Sequence, residues 1–132
     1  MIKEYLKSDI SELKKVFNES FDKVDLEFYF DNDNFIILGE IGKSFAIFQL
    51  ISGEAEIYYI AIKKEFRRKH LADELLNFFI TNFDVNIIFL DVKVSNDPAI
   101  SFYKKNGFKE IGIRKKYYEN GEDAIIMEKK IC

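Results

Sequence analysis

The sequence predicts an α/β (α+β) fold in which helices flank a mixed, mostly antiparallel central sheet. Three observations support this class. Three β-rich runs separated by glycine turns occupy residues 35–62, which is typical of an antiparallel meander. The apolar residues then change to a helical spacing from Arg67 to Phe83. A further strand, a short helix and two closing strands follow, so a strand–helix–strand unit lies within the antiparallel sheet.

The N-terminal segment predicts one short strand and one helix. Ile2–Tyr5 has the composition of a strand, and Asp9 with Glu12 three residues later resembles a capping box. The apolar residues that follow this box at helical spacing are Ile10, Leu13, Val16, Phe17 and Phe21. Residues 24–33 are acidic and aromatic without a clear period, so we expect an irregular segment there.

The middle of the chain predicts the meander and a long helix. Its strands are expected at Phe35–Gly39, Ser44–Ile51 and Ala55–Ile62. Gly42 and the Ser52-Gly53 pair supply the turns between them. From Arg67 to Phe83 the apolar side chains fall on one helical face, as an amphipathic helix requires.

The C-terminal third predicts a buried strand, a short helix and a hairpin. Asn86–Lys93 is a compact apolar run, which suits a strand buried on both faces. Asp97 resembles an N-cap with Pro98 at the first helical position, and Gly107 is expected to end this helix in the left-handed conformation. The last two strands are expected at Phe108–Lys116 and Asp123–Ile131, around a tight turn at Asn120-Gly121.

The composition restricts the function classes. The chain has 132 residues, 48% hydrophobic and 33% charged, which is the profile of one globular domain spanning residues 1–132. A net charge of −3 disfavours direct binding to nucleic acid. We find no signal peptide and no apolar run that could cross a membrane, so we expect a cytoplasmic monomer or dimer. The only cysteine is Cys132, and no His/Cys cluster predicts a metal site.

The arginines are placed unevenly. Arg67, Arg68 and Arg114 are the only three, and two of them are adjacent at the start of the predicted long helix. A helix N-terminus offers unpaired N–H groups and a positive dipole end, and arginine adds a bidentate phosphate donor. The pair therefore indicates either a phosphate site or a solvated basic turn.

The same segment resembles a motif of the GNAT superfamily of N-acetyltransferases. Arg67-Arg68-Lys69-His70-Leu71-Ala72 is similar to that family's pyrophosphate loop, R/Q-x-x-G-x-G/A. The resemblance implies that the backbone amides of this loop hold the pyrophosphate of acetyl-CoA. His70 stands where glycine is usual. We expect it to be tolerated, because a helix start does not by itself demand a positive φ.

A second match lies thirty residues further on. The segment resembles the superfamily's S-N-x-x-A-x-x-x-Y-x-x-x-G-F pattern at Ser95, Asn96, Ala99, Tyr103, Gly107 and Phe108. The resemblance implies that Asn96 contacts the pantetheine or pyrophosphate arm of CoA. It also implies that the Tyr103 hydroxyl lies near the CoA sulfur and protonates the departing thiolate. From the residues alone, Tyr103 could equally be a core aromatic with an outward hydroxyl.

The family resemblance also implies a cofactor cleft. In this fold the fourth and fifth strands splay apart. The freed backbone groups of Ile60, Ala61 and Ile62 would then bind pantetheine and polarise the acetyl carbonyl. No metal is implied.

A third match narrows the type of acetyltransferase. Residues 113–131 are similar to the C-terminal hairpin of RimI-type enzymes, which acetylate the α-amino group of a ribosomal protein. The shared residues include Arg114, Tyr117, Tyr118, Glu122, Asp123, Ala124 and Met127. The resemblance implies that Arg114 and the two tyrosines line the acceptor site. Ordinary cross-strand packing of the tyrosines remains the alternative.

The candidate base is Asp91, at the end of the apolar run IIFLDV. Ligand clefts form at the carboxyl ends of such strands. RimI-type enzymes carry a glutamate at the matching position, which serves as a general base through water. A carboxylate that only caps local backbone groups is the alternative, and Glu54 and Glu56 are the fallback candidates for the base.

These observations predict transfer of an acetyl group from acetyl-CoA to an amine by direct attack in a ternary complex. An α-amine with a pKa near 8 loses its proton far more easily than a lysine with a pKa near 10.4, so we favour a protein N-terminus as acceptor. A polyamine, an aminoglycoside or another small amine is the alternative acceptor. Two further hypotheses for the function are a non-catalytic CoA-binding module and a plain α/β scaffold.

Overall fold

The computed structural model describes residues 1–16 and 24–131 and contains one seven-stranded sheet. The strands lie in the order β1-β2-β3-β4-β5-β7-β6, and only the β4–β5 pair is parallel. Their bounds are β1 Lys3–Glu4, β2 Phe35–Gly39, β3 Ser44–Ile51, β4 Glu54–Ile62, β5 Ile87–Lys93, β6 Lys109–Arg114 and β7 Ala124–Lys130. The predicted mixed, mostly antiparallel sheet is confirmed.

Helices cover both faces of the sheet. They are α1 Ile10–Val16, α2 Leu26–Phe30, α3 Leu71–Asn82 and α4 Asp97–Lys105. On one face, Leu75, Leu76 and Phe79 of α3 pack with buried strand residues, and Tyr103 of α4 joins the edge of this core. On the other face, Leu13 of α1 and Leu26 of α2 belong to a second buried cluster. Alternation along each strand separates the two clusters.

The β3–β4 turn follows the prediction. Ser52 and Gly53 connect the two strands, and both residues have positive φ, 51° and 84°. Two consecutive positive φ values characterise the type I′ turn, whose twist matches that of the flanking strands. The turn therefore fixes the register in which Ile51 faces Glu54.

The parallel contact between β4 and β5 is short. Only Glu54, Ala55 and Glu56 of β4 have partners on β5, and the last pair joins Glu56 to Phe89. Just beyond it, Tyr58 is an extra residue in β4, because Ile57 and Tyr59 oppose consecutive residues of β3. A bulge bends its strand and increases the local twist. The two strands separate from this point, as the family resemblance predicted.

Two N-terminal expectations were wrong. Asp9 does not begin a helix with Glu12; its Oδ2 accepts from the Leu6 amide at 2.7 Å and it ends a 3₁₀ turn that precedes α1. Residues 24–33 are not wholly irregular either. Asp25 accepts from the Phe28 amide at 3.2 Å and starts the short helix α2. The predicted helix residues Phe17 and Phe21 lie outside the described residues.

Two helix boundaries also differ from the prediction. The long helix begins at Leu71, because a 3₁₀ turn at Lys64–Phe66 and an extended Arg67 precede it. Asn96, not Asp97, caps α4: its Oδ1 accepts from the Ala99 amide at 3.3 Å. Gly107 does follow α4 with φ +89°, as expected. Asparagine and aspartate are equally good caps, so the sequence could not choose between neighbours.

The last two strands are shorter than predicted and the connection between them is longer. Residues 115–123 form a loop, in which the Gly121 amide bonds the Tyr118 carbonyl at 2.9 Å. The Asn120-Gly121 turn is therefore inside this loop and does not join the strands directly. The strand β5 is not buried on both faces: its residues alternate between buried and half-buried. Asp91 lies on the half-buried face.

Candidate active site

The separation of β4 and β5 links the two faces of the sheet. Leu90 and Val92 of β5 belong to the core that α3 and α4 cover, whereas Asp91 between them points to the opposite face. Each face has a cavity near these strands: one is lined by the start of α3 and Ile62 at the end of β4, and the other by Asp91 with Glu54 and Glu56.

The first cavity, of about 320 Å³, lies between the start of α3 and the end of α4. Its lining includes Arg67, Arg68, His70, Leu71 and Ala72, together with Phe102 and Lys105 from α4. Five of the six residues of the predicted phosphate loop are therefore brought together. Lys69 is not in the lining; its Nζ lies 5.7 Å from the centre of the Phe66 ring.

The loop backbone is shaped to bind an anion. Arg68 has φ +63° and His70 has φ +61°, while Lys69 between them is not in the positive-φ region. Such alternation turns successive N–H groups towards one concavity, which favours anions. The amides of residues 68–73 have no acceptor among the described residues; the next one, of Glu74, bonds the His70 carbonyl at 3.0 Å. These free donors fit a pyrophosphate.

The expectation about His70 was wrong. This position does adopt the left-handed conformation, with φ 61° and ψ 21°, which explains why glycine is usual there. Its imidazole side chain is 78% exposed, and its Nδ1 is 3.2 Å from Oδ2 of Asp73, which lines the same cavity. Asp73 is also held by the Asn106 amide at 3.0 Å, which ties α3 to the end of α4.

We expect His70→Gly and His70→Ala to bind acetyl-CoA within about twofold of the unmodified chain, since backbone amides hold the phosphates. The two variants should differ in stability instead. Alanine retains the cost of the left-handed conformation, so urea unfolding should show the glycine variant to be more stable by about 1 kcal/mol. A loss of affinity in both variants would show that the imidazole itself contacts the cofactor.

Arg67 connects the loop to the end of β4. Its Nε donates to the Ile62 carbonyl at 3.1 Å, so this carbonyl is already engaged. Ile60, Ala61 and Ile62 pair with β3 along one edge, while the described part of β5 pairs with none of them along the other. The free edge towards β5 lies directly above the loop.

Tyr103 lies in α4, packed between aromatic rings. Its ring centroid is 5.2 Å from that of Phe102 and 5.4 Å from that of Phe108. Burial, with a smaller contribution from Tyr118, raises the pKa of Tyr103 to about 12. The phenol therefore stays protonated at neutral pH and can donate a proton. Asn96, at the start of the same helix, uses its side-chain carbonyl as the helix cap.

The second cavity, of about 310 Å³, contains Asp91 on the other face of the sheet. Arg114 Nε lies 3.2 Å from Asp91 Oδ1, and the Asp91 side chain is 17% exposed. Glu54 and Glu56 line the same cavity. The sequence placed Arg114 at the acceptor site and Asp91 as the base, and the structure brings them into direct contact.

The two predicted tyrosines lie in the loop between β6 and β7; neither is in the lining of this cavity, but each lies near a residue that lines it. The Arg114 guanidinium lies 5.7 Å from the centre of the Tyr117 ring, and Lys93 Nζ lies 5.2 Å from that of Tyr118. Burial, and then the charge of Asp91, raise the pKa of Tyr118. Tyr118 is thus close enough to interact electrostatically with both Asp91 and Tyr103.

The sequence missed an aromatic group on the acceptor face. Tyr29 of α2 lies 6.1 Å and 6.3 Å, between ring centroids, from Tyr58 and Tyr59 of β4, and Phe35 is 5.1 Å from Tyr58. The aromatic residues within 24–33 are the sequence signal for this group, but they show no clear period, so the sequence predicts irregular structure there. The sequence also missed Lys105, which extends the basic lining of the first cavity.

The described residues include neither a metal-binding cluster nor a membrane-spanning helix. No group of three or more His, Cys, Asp or Glu side chains that could hold a metal occurs within residues 1–16 and 24–131. None of the helices in these ranges combines the length and apolar content needed to cross a membrane.

Comparison with known proteins identifies the class. The model of the acetyltransferase (GNAT) family matches residues 4–108, so the chain belongs to this family. A solved structure of the ribosomal-protein-S18-alanine N-acetyltransferase from Escherichia coli superimposes with a TM-score of 0.83 at 29% identity, covering 99% of this chain and 93% of that one.

Two sequence relatives are named as acetyltransferases of protein N-termini. A putative [ribosomal protein bS18]-alanine N-acetyltransferase of Bacillus subtilis is 43% identical over 82 residues, covering 59% of this chain and 54% of the relative. An N-alpha-acetyltransferase of Saccharolobus solfataricus is 37% identical over 82 residues, covering 59% of this chain and 49% of the relative. The matches therefore span about half the length of these relatives.

Proposed function

We propose that this chain transfers an acetyl group from acetyl-CoA to the α-amino group of a protein N-terminus. One observation carries the proposal: β4 and β5 stop pairing beyond Glu56 and Phe89, with a cavity at the start of α3 on one face of the sheet and a cavity containing Asp91 on the other. We infer that a thioester held in the first cavity and an amine held in the second react in the gap where the two strands are unpaired. The named N-terminal acetyltransferases among the relatives support this acceptor class.

The residues of the first cavity fit the cofactor. The free amides of residues 68–73 would hold the pyrophosphate, and Arg67, Arg68 and Lys105 add positive charge. The edge of Ile60–Ile62 that β5 leaves unpaired, apart from the Ile62 carbonyl that Arg67 engages, would bind the amides of pantetheine as a strand binds its neighbour. Acetyl-CoA supplies the activated thioester carbonyl.

Two side chains would move protons at the gap. Asp91 would accept the proton that the amine loses as its nitrogen bonds to the acetyl carbon, directly or through a water. Tyr103 would donate its proton to the thiolate that leaves as the carbon–sulfur bond breaks. Its raised pKa keeps that proton available at neutral pH.

The second cavity would hold the acceptor. Asp91, Glu54 and Glu56 make its interior acidic, which suits an incoming ammonium group, and Tyr117, which contacts Arg114 of the lining, would contact the acceptor together with Tyr118. An α-ammonium with a pKa near 8 gives up its proton more readily than a lysine, so a short carboxylate can serve as the base. We infer that the reaction takes place in the cytoplasm, because bacterial relatives are named for acetylating a ribosomal protein.

The test is a matched acceptor panel with acetyl-CoA. We expect acetylation of peptides with a free N-terminus and an internal lysine, with the acetyl group located on the α-nitrogen by fragmentation mass spectrometry. The same peptides with a blocked N-terminus serve as controls and should remain unmodified. Turnover of a polyamine or an aminoglycoside alone would overturn the protein-N-terminus proposal, and turnover of no amine would overturn the enzymatic function.

A further inference from the structure

We propose that Arg114 is a positioning residue that holds the Asp91 carboxylate at the angle needed to take the amine's proton. This inference rests on the proposed function and adds a residue to its machinery. It changes the expected role of Arg114, from contacting the acceptor to acting through Asp91.

The strand order makes the contact possible. Asp91 lies on β5 and Arg114 on β6, with β7 between them. Along the register Arg114 faces Ala124, which in turn faces Lys93, two residues beyond Asp91. The Arg114 side chain must therefore extend diagonally across β7, and its Nε ends 3.2 Å from Asp91 Oδ1. The small side chain of Ala124 leaves this path open.

The arginine is itself held in place. Its guanidinium carbon lies 5.7 Å from the centre of the Tyr117 ring, within the range of a cation–π contact. Asp91 has a short side chain in a cavity of about 310 Å³, which would otherwise leave its carboxylate free to rotate. A guanidinium fixed at one oxygen limits that rotation.

The geometry leaves one oxygen for the reaction. Arg114 engages Oδ1, while Oδ2 of Asp91 has no hydrogen bond or ion pair among the described residues. The remaining carboxylates of the cavity, Glu54 and Glu56, form no salt bridge within the described residues. An ammonium entering this cavity thus meets the Asp91 carboxylate in a fixed orientation, with only one of its two oxygens hydrogen-bonded.

A double-mutant cycle tests the proposal. We would measure kcat and the acceptor KM, at saturating acetyl-CoA, for Arg114→Gln, Asp91→Asn and the double variant. Alignment of reacting groups within about 1 Å can be worth up to about 100-fold, so we expect Arg114→Gln to lower kcat about 10-fold or more. In the Asp91→Asn background the same change should alter kcat less than about twofold. Lys109→Gln, on the same strand, is the matched control.

The outcomes separate three cases. Coupling of this kind, with acceptor KM nearly unchanged and an unchanged melting temperature, supports the positioning role. A higher acceptor KM of equal size in both backgrounds would show direct contact with the acceptor and overturn it, as would no effect at all. If the unmodified chain acetylates no amine, the proposed function fails first and the positioning role fails with it.

Discussion

Tyr103→Phe is expected to lower kcat about 100- to 1000-fold while acetyl-CoA affinity changes less than about twofold. The substitution removes only the hydroxyl, so the ring still packs between Phe102 and Phe108. Without that proton the thiolate must leave unassisted. Stopped-flow turnover and calorimetric titration on the same preparation measure the two quantities.

A pH series and a control variant sharpen this prediction. Because burial raises the pKa of Tyr103 to about 12, kcat of the unmodified chain should not fall through loss of this proton between pH 7 and about 10. Tyr5→Phe removes another buried hydroxyl, which bonds the Ser44 carbonyl at 2.9 Å; Tyr5 belongs to the other buried cluster and lines neither cavity. It should lower the melting temperature and leave kcat intact. Unchanged kcat in Tyr103→Phe would exclude this tyrosine as the acid.

Asp91→Asn is expected to lower kcat/KM for an α-amine acceptor about 100-fold at pH 7. Asparagine keeps the shape of the side chain and cannot take the proton. The variant then depends on acceptor that is already neutral in solution, so its rate should rise about 10-fold per pH unit until the amine pKa near 8. Initial rates from pH 6 to 9 measure this dependence.

Glu56→Gln is the matched comparison for Asp91, because both carboxylates line the second cavity. We expect it to retain more activity than Asp91→Asn at every pH. If Glu56→Gln loses activity and Asp91→Asn does not, the base is on β4 and the assignment to β5 is wrong.

The strands and the gap could be predicted because local signals agree with the tertiary structure. Glycine turns fix the meander, and the Ser52-Gly53 pair adopts the positive φ values that a two-residue hairpin needs. The family patterns predicted the loop and Tyr103 as cofactor-site residues; five residues of the loop line the first cavity, whereas Tyr103 is not in its lining. The roles of these residues remain predictions.

What could not be predicted depends on long-range contacts or on backbone angles. The left-handed φ of His70, at the residue before α3, has no signal in the residue pattern. The short helix α2 is too brief for a period to show, and it is stabilised by its cap and by burial of Leu26. The Arg114–Asp91 contact crosses an intervening strand, so it follows only from the strand order.

Calorimetric titration with acetyl-CoA tests the central claim most directly, which is that the loop of residues 67–72 and the gap above it form a cofactor site. The account predicts one molecule bound per chain, with an affinity that weakens as salt is raised because phosphate charges contribute to it. Absence of binding at low salt would contradict the account, since the proposed acid, base and acceptor cavity would then have no thioester to act on.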